Sequence, residues 1–103
     1  MFGLVVRFEL KDDAAAAGFD ALVADTAPKI ESEEPGTLKY IVHSVDGAPL
    51  SRVFYELYRD RAAFEDHEQQ PHVKRFLAAR EQFLKSHRVE FFASASGKGL
   101  ADN

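Results

Sequence analysis

The stretch that decides the fold is residues 52–76, which read RVFYELYRDRAAFEDHEQQPHVKRF. Its first part alternates side chains of two kinds, with Val53, Tyr55 and Leu57 on one parity and Phe54, Glu56 and Tyr58 on the other. Side chains of a β-strand point to opposite faces at every second residue, so this alternation predicts a strand with one apolar and one mixed face.

A helix break follows this strand. Asp60 is a suitable N-cap for a short helix from about Arg61 to Gln69, and Pro71 fits the first position of a second helix. His67 ends the first helix and His72 opens the second. Two imidazoles therefore flank one break, just after a strand that carries Glu56. We expect titratable groups to converge on a cleft here.

The flanking segments supply the remaining elements. They are a strand at 4–10, a helix from Asp12 or Asp13 to the Pro35-Gly36 turn, a strand at 38–43, a hairpin loop at Asp46-Gly47, a last helix that buries Val73, Phe76, Leu77, Arg80, Phe83 and Leu84, and a fourth strand at 87–94. The order strand, helix, strand, strand, helix, strand predicts an α+β fold: a ferredoxin-like βαββαβ sandwich with an antiparallel four-stranded sheet. Residues 1–95 form its single domain, and we expect 96–103 to be a flexible tail.

The parity of the strands bears on assembly. Each predicted strand has one wholly apolar face, of which Leu4, Val6 and Phe8 are typical, and an opposite face that still carries residues such as Ile41 and Phe92. Two helices cover only one side of a sheet, so a large apolar area remains exposed. The sequence therefore predicts a homodimer that forms through the sheets.

Composition limits the function classes. The chain has 103 residues, a net charge of -4 and no cysteine. Because the two signs of charge are interspersed and no basic stripe is present, a nucleic-acid partner is not expected. The start of the chain does not resemble a signal peptide, and no apolar run approaches the length of a membrane span. We therefore expect a cytoplasmic protein with no membrane partner.

Residues 55–67, with the pattern Tyr-Glu-x-Tyr-x-Asp-x-x-Ala-Phe-x-x-His, together with His72, Phe76 and the segment Pro-Gly-Thr-Leu-Lys-Tyr at 35–40, resemble the antibiotic biosynthesis monooxygenase family. The resemblance covers roughly residues 2–95. It implies a dimeric α/β barrel, and several such proteins oxygenate quinols or aromatic polyketides with no metal or flavin. Others degrade haem.

Two departures from the family pattern bear on the reaction. The haem-degrading branch carries a tryptophan at the position of Tyr58 and an iron-ligating histidine at the position of Leu77, so haem cleavage is not expected. The first strand also lacks the asparagine that oxygenating members often place in the pocket.

The resemblance and the residue types together nominate a site. The catalytic candidates are His72, His67, Tyr58 and Glu56, and the candidates for binding substrate are Phe54, Phe76 and His43. A helix N-terminus disfavours a charged imidazole, so His72 is the favoured base, whereas His67 lies at a C-terminus, which favours the charged form. Glu56 either pairs with Arg7 or Arg59 or acts as a base itself. The two histidines are five residues apart, which is not the spacing of a helical zinc pair, so no metal site is expected.

We therefore predict a cofactor-free monooxygenase that acts on a small aromatic, quinol or polyketide-like substrate with dioxygen. Two alternatives stay open because a fold does not fix a chemistry. One is a small-ligand-binding or stress-response protein on the same barrel, and the other is a lactone isomerase of the same superfamily.

Overall fold

The computed structural model of the protein describes residues 1–100. Its elements in chain order are β1 Phe2–Leu10, α1 Asp13–Glu33, β2 Thr37–Val45, β3 Ala48–Tyr58, α2 Arg61–Gln69, α3 Pro71–Ala79, a 3-10 turn Arg80–Gln82 and β4 Leu84–Phe91. The four strands form one antiparallel sheet in the order β2-β3-β1-β4. This is the predicted ferredoxin-like βαββαβ arrangement, which is confirmed.

The helix starts follow from short acidic caps. The Asp12 carboxylate accepts a hydrogen bond from the backbone N–H of Ala15, and Asp60 does the same for Ala63, both at 2.8 Å. Each carboxylate satisfies a donor that the first helical turn leaves without a partner. The predicted break between α2 and α3 is present at Gln70, whose extended backbone (φ -66°, ψ 137°) precedes Pro71.

The sheet register corrects one interpretation of the strand faces. Val6 lies opposite Phe54, and Leu4 lies opposite Glu56. The mixed parity of β3, rather than its apolar parity, therefore shares the helix-facing side with the apolar parity of β1. Period two shows that a strand has two faces, but only the pairing between strands decides which face meets the helices.

The end of the last helix also differs from the prediction. α3 ends at Ala79, and β4 begins at Leu84, which pairs with Leu10 across an irregularity between Glu9 and Leu10. Leu84 is buried, but as a strand residue and not as a helix residue. Ala93 and Ser94 lie beyond the end of β4.

The core lies between the sheet and the helices. Its largest fully buried side chains include Phe8, Phe19, Phe54 and Tyr58. Phe8 and Phe54 meet edge to face with their ring centroids 4.8 Å apart, and Phe19 packs against both. Aromatic rings of this kind fill the layer between β1, β3 and α1, and they form the floor below the site.

The end of the chain is described only in part. Residues 92–100 are exposed and follow β4 without a further strand or α-helix, and 101–103 lie outside the described residues. A domain boundary at residue 95 and a flexible tail beyond it remain predictions.

Candidate functional site

The two histidines beside the helix break both point into the protein. His67 is 6% exposed and His72 is 4% exposed, so neither is the solvent-facing turn residue that its loop position allows. Both rings reach the same acceptor, the carboxylate of Glu34, which follows the last residue of α1. The break between α2 and α3 thus places two imidazoles on one carboxylate.

Glu34 is the centre of this cluster. Its Oε1 is 2.6 Å from Nδ1 of His67, and its Oε2 is 2.5 Å from Nε2 of His72. The Thr37 hydroxyl also donates to Oε1, at 2.8 Å. A carboxylate accepts hydrogen bonds only, so the ring nitrogens that face it carry protons. The cluster fixes the ring of His67 with Nδ1 towards Glu34 and Nε2 towards the sheet.

Two opposing effects set the pKa of Glu34. Burial raises it, and the hydrogen bonds from His67, His72 and Thr37 lower it by more, so that the pKa lies below the ordinary value of 4.5. Glu34 therefore stays ionised at neutral pH. A buried charge is costly unless its lone pairs are occupied, and here three donors occupy them.

A second buried carboxylate lies on the sheet side of His67. The Tyr58 hydroxyl donates to Oε1 of Glu56 at 2.5 Å, and Nε2 of His67 lies 4.0 Å from the same oxygen. Burial raises the pKa of Glu56 above its ordinary 4.5, and the Tyr58 hydrogen bond and the nearby His67 only partly offset this. The predicted pairing of Glu56 with an arginine is wrong, because Arg7 pairs with Glu9 and Arg59 pairs with Asp60.

The phenols around Glu56 are fixed as donors. Burial and the charge of Glu56 raise the pKa of Tyr58 far above its ordinary 10.0, and burial raises that of Tyr40 in the same way. Tyr40 lies opposite Glu56 on β2, with its ring centroid 5.7 Å from that of His67. Neither phenol is a source of a phenolate base, so Glu56 and His67 are the groups that can take a proton here.

Glu56 and His67 form part of the wall of a cavity between the sheet and the helices. The cavity encloses about 110 Å³. Its other walls are largely apolar and are formed by Leu4, Val6, Phe8, Thr26, Tyr40, Phe54, Phe64, Glu68, Val73, Phe76, Leu77, Arg80, Val89 and Phe91. An apolar engineered cavity of about 150 Å³ accommodates benzene, so this space fits a molecule of about one ring.

A smaller polar cavity lies on the other side of His67. It encloses about 100 Å³ and is also lined by Glu34, Thr37 and Arg59. His67 thus separates an apolar space from a polar one, with one ring nitrogen near Glu56 and the other on Glu34.

The structure brings some of the predicted site residues to the apolar cavity and not others. Glu56, His67, Phe54 and Phe76 line it. His72 and Tyr58 lie behind the wall, where they hold Glu34 and Glu56 in place. A role of His72 as the base that touches substrate has no geometric support, since Glu34 occupies the nitrogen that a base needs.

His43 does not reach the site. It is exposed and lies opposite Val53, on the sheet face that the helices leave uncovered. This placement follows from the register, because the β2 residues that share a face with Glu56 and Phe54 are Tyr40 and Val42. The prediction that His43 binds substrate in this cavity is therefore not supported by its position.

Sequence reasoning missed Glu34, and it placed Arg80 only as a buried stem. A glutamate just before Pro35-Gly36 gives no periodic signal, and its two partners are 33 and 38 residues away. Only the packing of α1 against α2 and α3 brings them together. A weak signal for Arg80 is its position on the buried stripe of the last helix.

Two further searches concern metals and membranes. Among residues 1–100, no three histidine, cysteine, aspartate or glutamate side chains are grouped so that they would hold a metal ion. In the same part of the chain, no helix has both the length and the apolar character needed to cross a membrane.

Comparison with known families now adds to this geometry. Residues 1–79 match the model of the antibiotic biosynthesis monooxygenase family. The chain belongs to this family. No curated protein matches the chain significantly.

Solved structures agree with the fold. A protein of Caulobacter crescentus, described as a candidate antibiotic biosynthesis monooxygenase, is 24% identical with a TM-score of 0.84, covering 92% of this chain and 90% of its own. An antibiotic biosynthesis monooxygenase is 22% identical with a TM-score of 0.83, covering 93% and 100%. A protein of Mycobacterium tuberculosis is 24% identical with a TM-score of 0.82, covering 95% and 98%. At these identities the likeness shows a shared fold.

Proposed function

We propose that this protein is a cofactor-independent monooxygenase that oxidises a single-ring phenol or quinol with dioxygen. The observation that carries the proposal is the cavity itself: an apolar space of about 110 Å³ with one buried carboxylate, Glu56, in its wall. The family match supports oxygenase chemistry, and the size of the cavity favours a small aromatic substrate over a fused polyketide.

The first step is proton removal. Glu56 accepts the proton of the substrate hydroxyl, and its raised pKa brings it closer to the operating pH than an exposed glutamate. Tyr58 orients the carboxylate, and Nε2 of His67 lies 4.0 Å from it. From there the proton reaches His67, whose other nitrogen is held by Glu34. Ionising a phenol in an apolar space makes the ring electron-rich.

The remaining steps balance without another reductant. The anion passes one electron to dioxygen, and the resulting radical pair recombines at a ring carbon to form a peroxide. The peroxide takes a proton, the O–O bond breaks, and loss of water with the ring hydrogen leaves a quinone, so that a phenol and dioxygen give a quinone and water. The protein supplies orientation, the base and exclusion of water.

The test is oxygen uptake by the purified protein with a panel of single-ring phenols and quinols and no added cofactor. We expect uptake whose rate rises with pH as Glu56 ionises and is unchanged by a chelator. Replacing Glu56 by Gln should lower the rate by about 10²- to 10⁴-fold, as for loss of a general base. The matched control is Glu65→Gln, because Glu65 is exposed on α2 and pairs only with Arg61.

Other outcomes assign the protein to the alternatives. Turnover without oxygen uptake supports an isomerase, and tight binding of a ligand that leaves unchanged supports a binding protein. Loss of activity with a chelator overturns the cofactor-free mechanism. An equal effect of Glu56→Gln and Glu65→Gln removes Glu56 as the base.

We also propose that a second copy of the chain covers the open face of the sheet. Apolar side chains remain on that face away from the helices, among them Ile41 and Phe92, which are 43% and 45% exposed. Light scattering should give about twice the chain mass of 11.5 kDa. Ile41→Glu should favour the monomer because it places a charge on this face without touching the core, and a monomeric parent protein contradicts the proposal. The cytoplasmic location remains a prediction.

A further inference from the structure

Arg80 is the one group in the cavity wall that the proposed reaction leaves without a role. Among the buried side-chain polar atoms of residues 1–100, its Nε is the one that lacks a hydrogen-bond partner. Arg80 also makes no ion pair within this part of the chain, although Glu56, Glu68 and Glu81 lie near enough to act on its charge. A partly buried guanidinium without a counter-ion is an unfavourable arrangement that a bound anion relieves.

The position of Arg80 is fixed by Phe8. The guanidinium carbon lies 5.3 Å from the centroid of the Phe8 ring, which holds the planar group by a cation–π contact. Phe8 is four residues along β1 from Leu4, the residue opposite Glu56. Four strand residues span about 13 Å, so Arg80 and Glu56 are anchored towards opposite ends of the cavity floor.

Between these two ends lies space for one ring. The floor between them is formed by Val6 and Phe54, which are paired across β1 and β3, and both line the cavity. A ring placed there presents one substituent to Glu56 and the opposite substituent to Arg80. Glu56 suits a hydroxyl that donates a proton, whereas the fork of guanidinium donors suits a planar carboxylate.

We propose that the substrate is a single-ring hydroxylated aromatic acid, whose carboxylate binds Arg80 while its hydroxyl faces Glu56. This inference rests on the proposed function and adds the substrate class to it. The nearby carboxylates do not oppose such a ligand at the Arg80 end. Glu68 is exposed to solvent, and Glu56 meets the hydroxyl.

The experiment compares two ligands of the same shape and different charge, 4-hydroxybenzoate and 4-hydroxybenzamide. Binding of each is measured by calorimetry and by shifts in amide NMR spectra at neutral pH, where the acid is ionised and the amide is neutral. The parent protein should bind the acid about tenfold or more tightly than the amide, the ratio that one charge-assisted hydrogen bond provides.

Variants locate the charge that the acid needs. Arg80→Gln should remove the preference for the acid, and Arg80→Lys should keep part of it because the charge remains while the fork is lost. The matched control is Arg75→Gln, which removes an exposed arginine of α3 that does not line the cavity and should leave the preference unchanged. The NMR spectra report whether each variant is folded. If Arg80→Gln does not fold, the Lys variant decides the matter, with a reduced preference expected.

Three outcomes overturn the inference: equal affinity for acid and amide, a preference that persists unchanged in the Arg80 variants, or an equal loss in Arg75→Gln. Its failure is separable from failure of the oxygenase function. Tight binding of the acid without oxygen uptake from any phenol removes the oxygenase function and leaves the substrate class. Oxygen uptake with equal affinity for acid and amide does the reverse.

Discussion

Replacing Glu34 by Gln should destabilise the fold by disrupting the carboxylate that holds two histidines. The carboxylate accepts from His67, His72 and Thr37 at 2.5 to 2.8 Å, and its side chain is 4% exposed. A glutamine offers one oxygen and an NH₂ group that only donates. If the oxygen keeps His67 and Thr37, the NH₂ group faces the N–H of His72, and one buried donor loses its acceptor.

The magnitude follows from the bonds that are lost and weakened. A hydrogen bond to a charged group contributes about 1.5–3 kcal/mol, and the two that remain become bonds to a neutral amide, so we expect a loss of about 2–4 kcal/mol. Urea denaturation at neutral pH should therefore show a midpoint lower by roughly 1–2 M. The control is Glu33→Gln, because Glu33 is the neighbouring exposed glutamate and makes no ion pair with residues 1–100.

The pH dependence gives an independent check. The pKa of Glu34 is lower in the folded protein than its ordinary 4.5, so its charge stabilises the fold above pH 4.5, and this contribution is lost as the pH falls through the lower folded value. The difference between the parent protein and Glu34→Gln should narrow over that range. A loss at neutral pH no larger than that of Glu33→Gln would refute the reasoning.

Three further predictions concern the rest of the site and the packing. Glu56→Gln should raise the stability at neutral pH relative to the parent, because burial raises the folded pKa of Glu56 above 4.5 and its ionisation opposes folding; the gain should vanish in urea titrations as the pH falls below 4.5. Burial raises the pKa of Glu56 and the Tyr58 hydroxyl lowers it, so Tyr58→Phe should raise it further, as measured by carbon NMR titration of the carboxyl group. Gly18→Ala should cost about 1–3 kcal/mol in denaturation experiments because a Cβ there overlaps the ring of Phe83.

The fold was largely accessible from the sequence because its signals are local. Alternation at 53–58, the caps Asp12 and Asp60, and Pro71 at the start of α3 each act within a few residues. Such signals identify elements and their order, and the βαββαβ order leaves few topologies. The weaker points were also local in origin. The last helix and β4 are joined by a short 3-10 turn, and the apolar residues around Leu84 suit either a helix or a strand.

The sequence by itself determined which elements form and that a carboxylate and two histidines lie near one helix break. Only the tertiary structure decided what those groups do. The register placed Glu56 and Phe54 towards the helices and His43 away from them, because a strand pattern has two faces and pairing chooses between them. The packing of α1 brought Glu34 onto His67 and His72 and left Arg80 in the cavity wall. These contacts join residues far apart in the chain, and no spacing in the sequence encodes them.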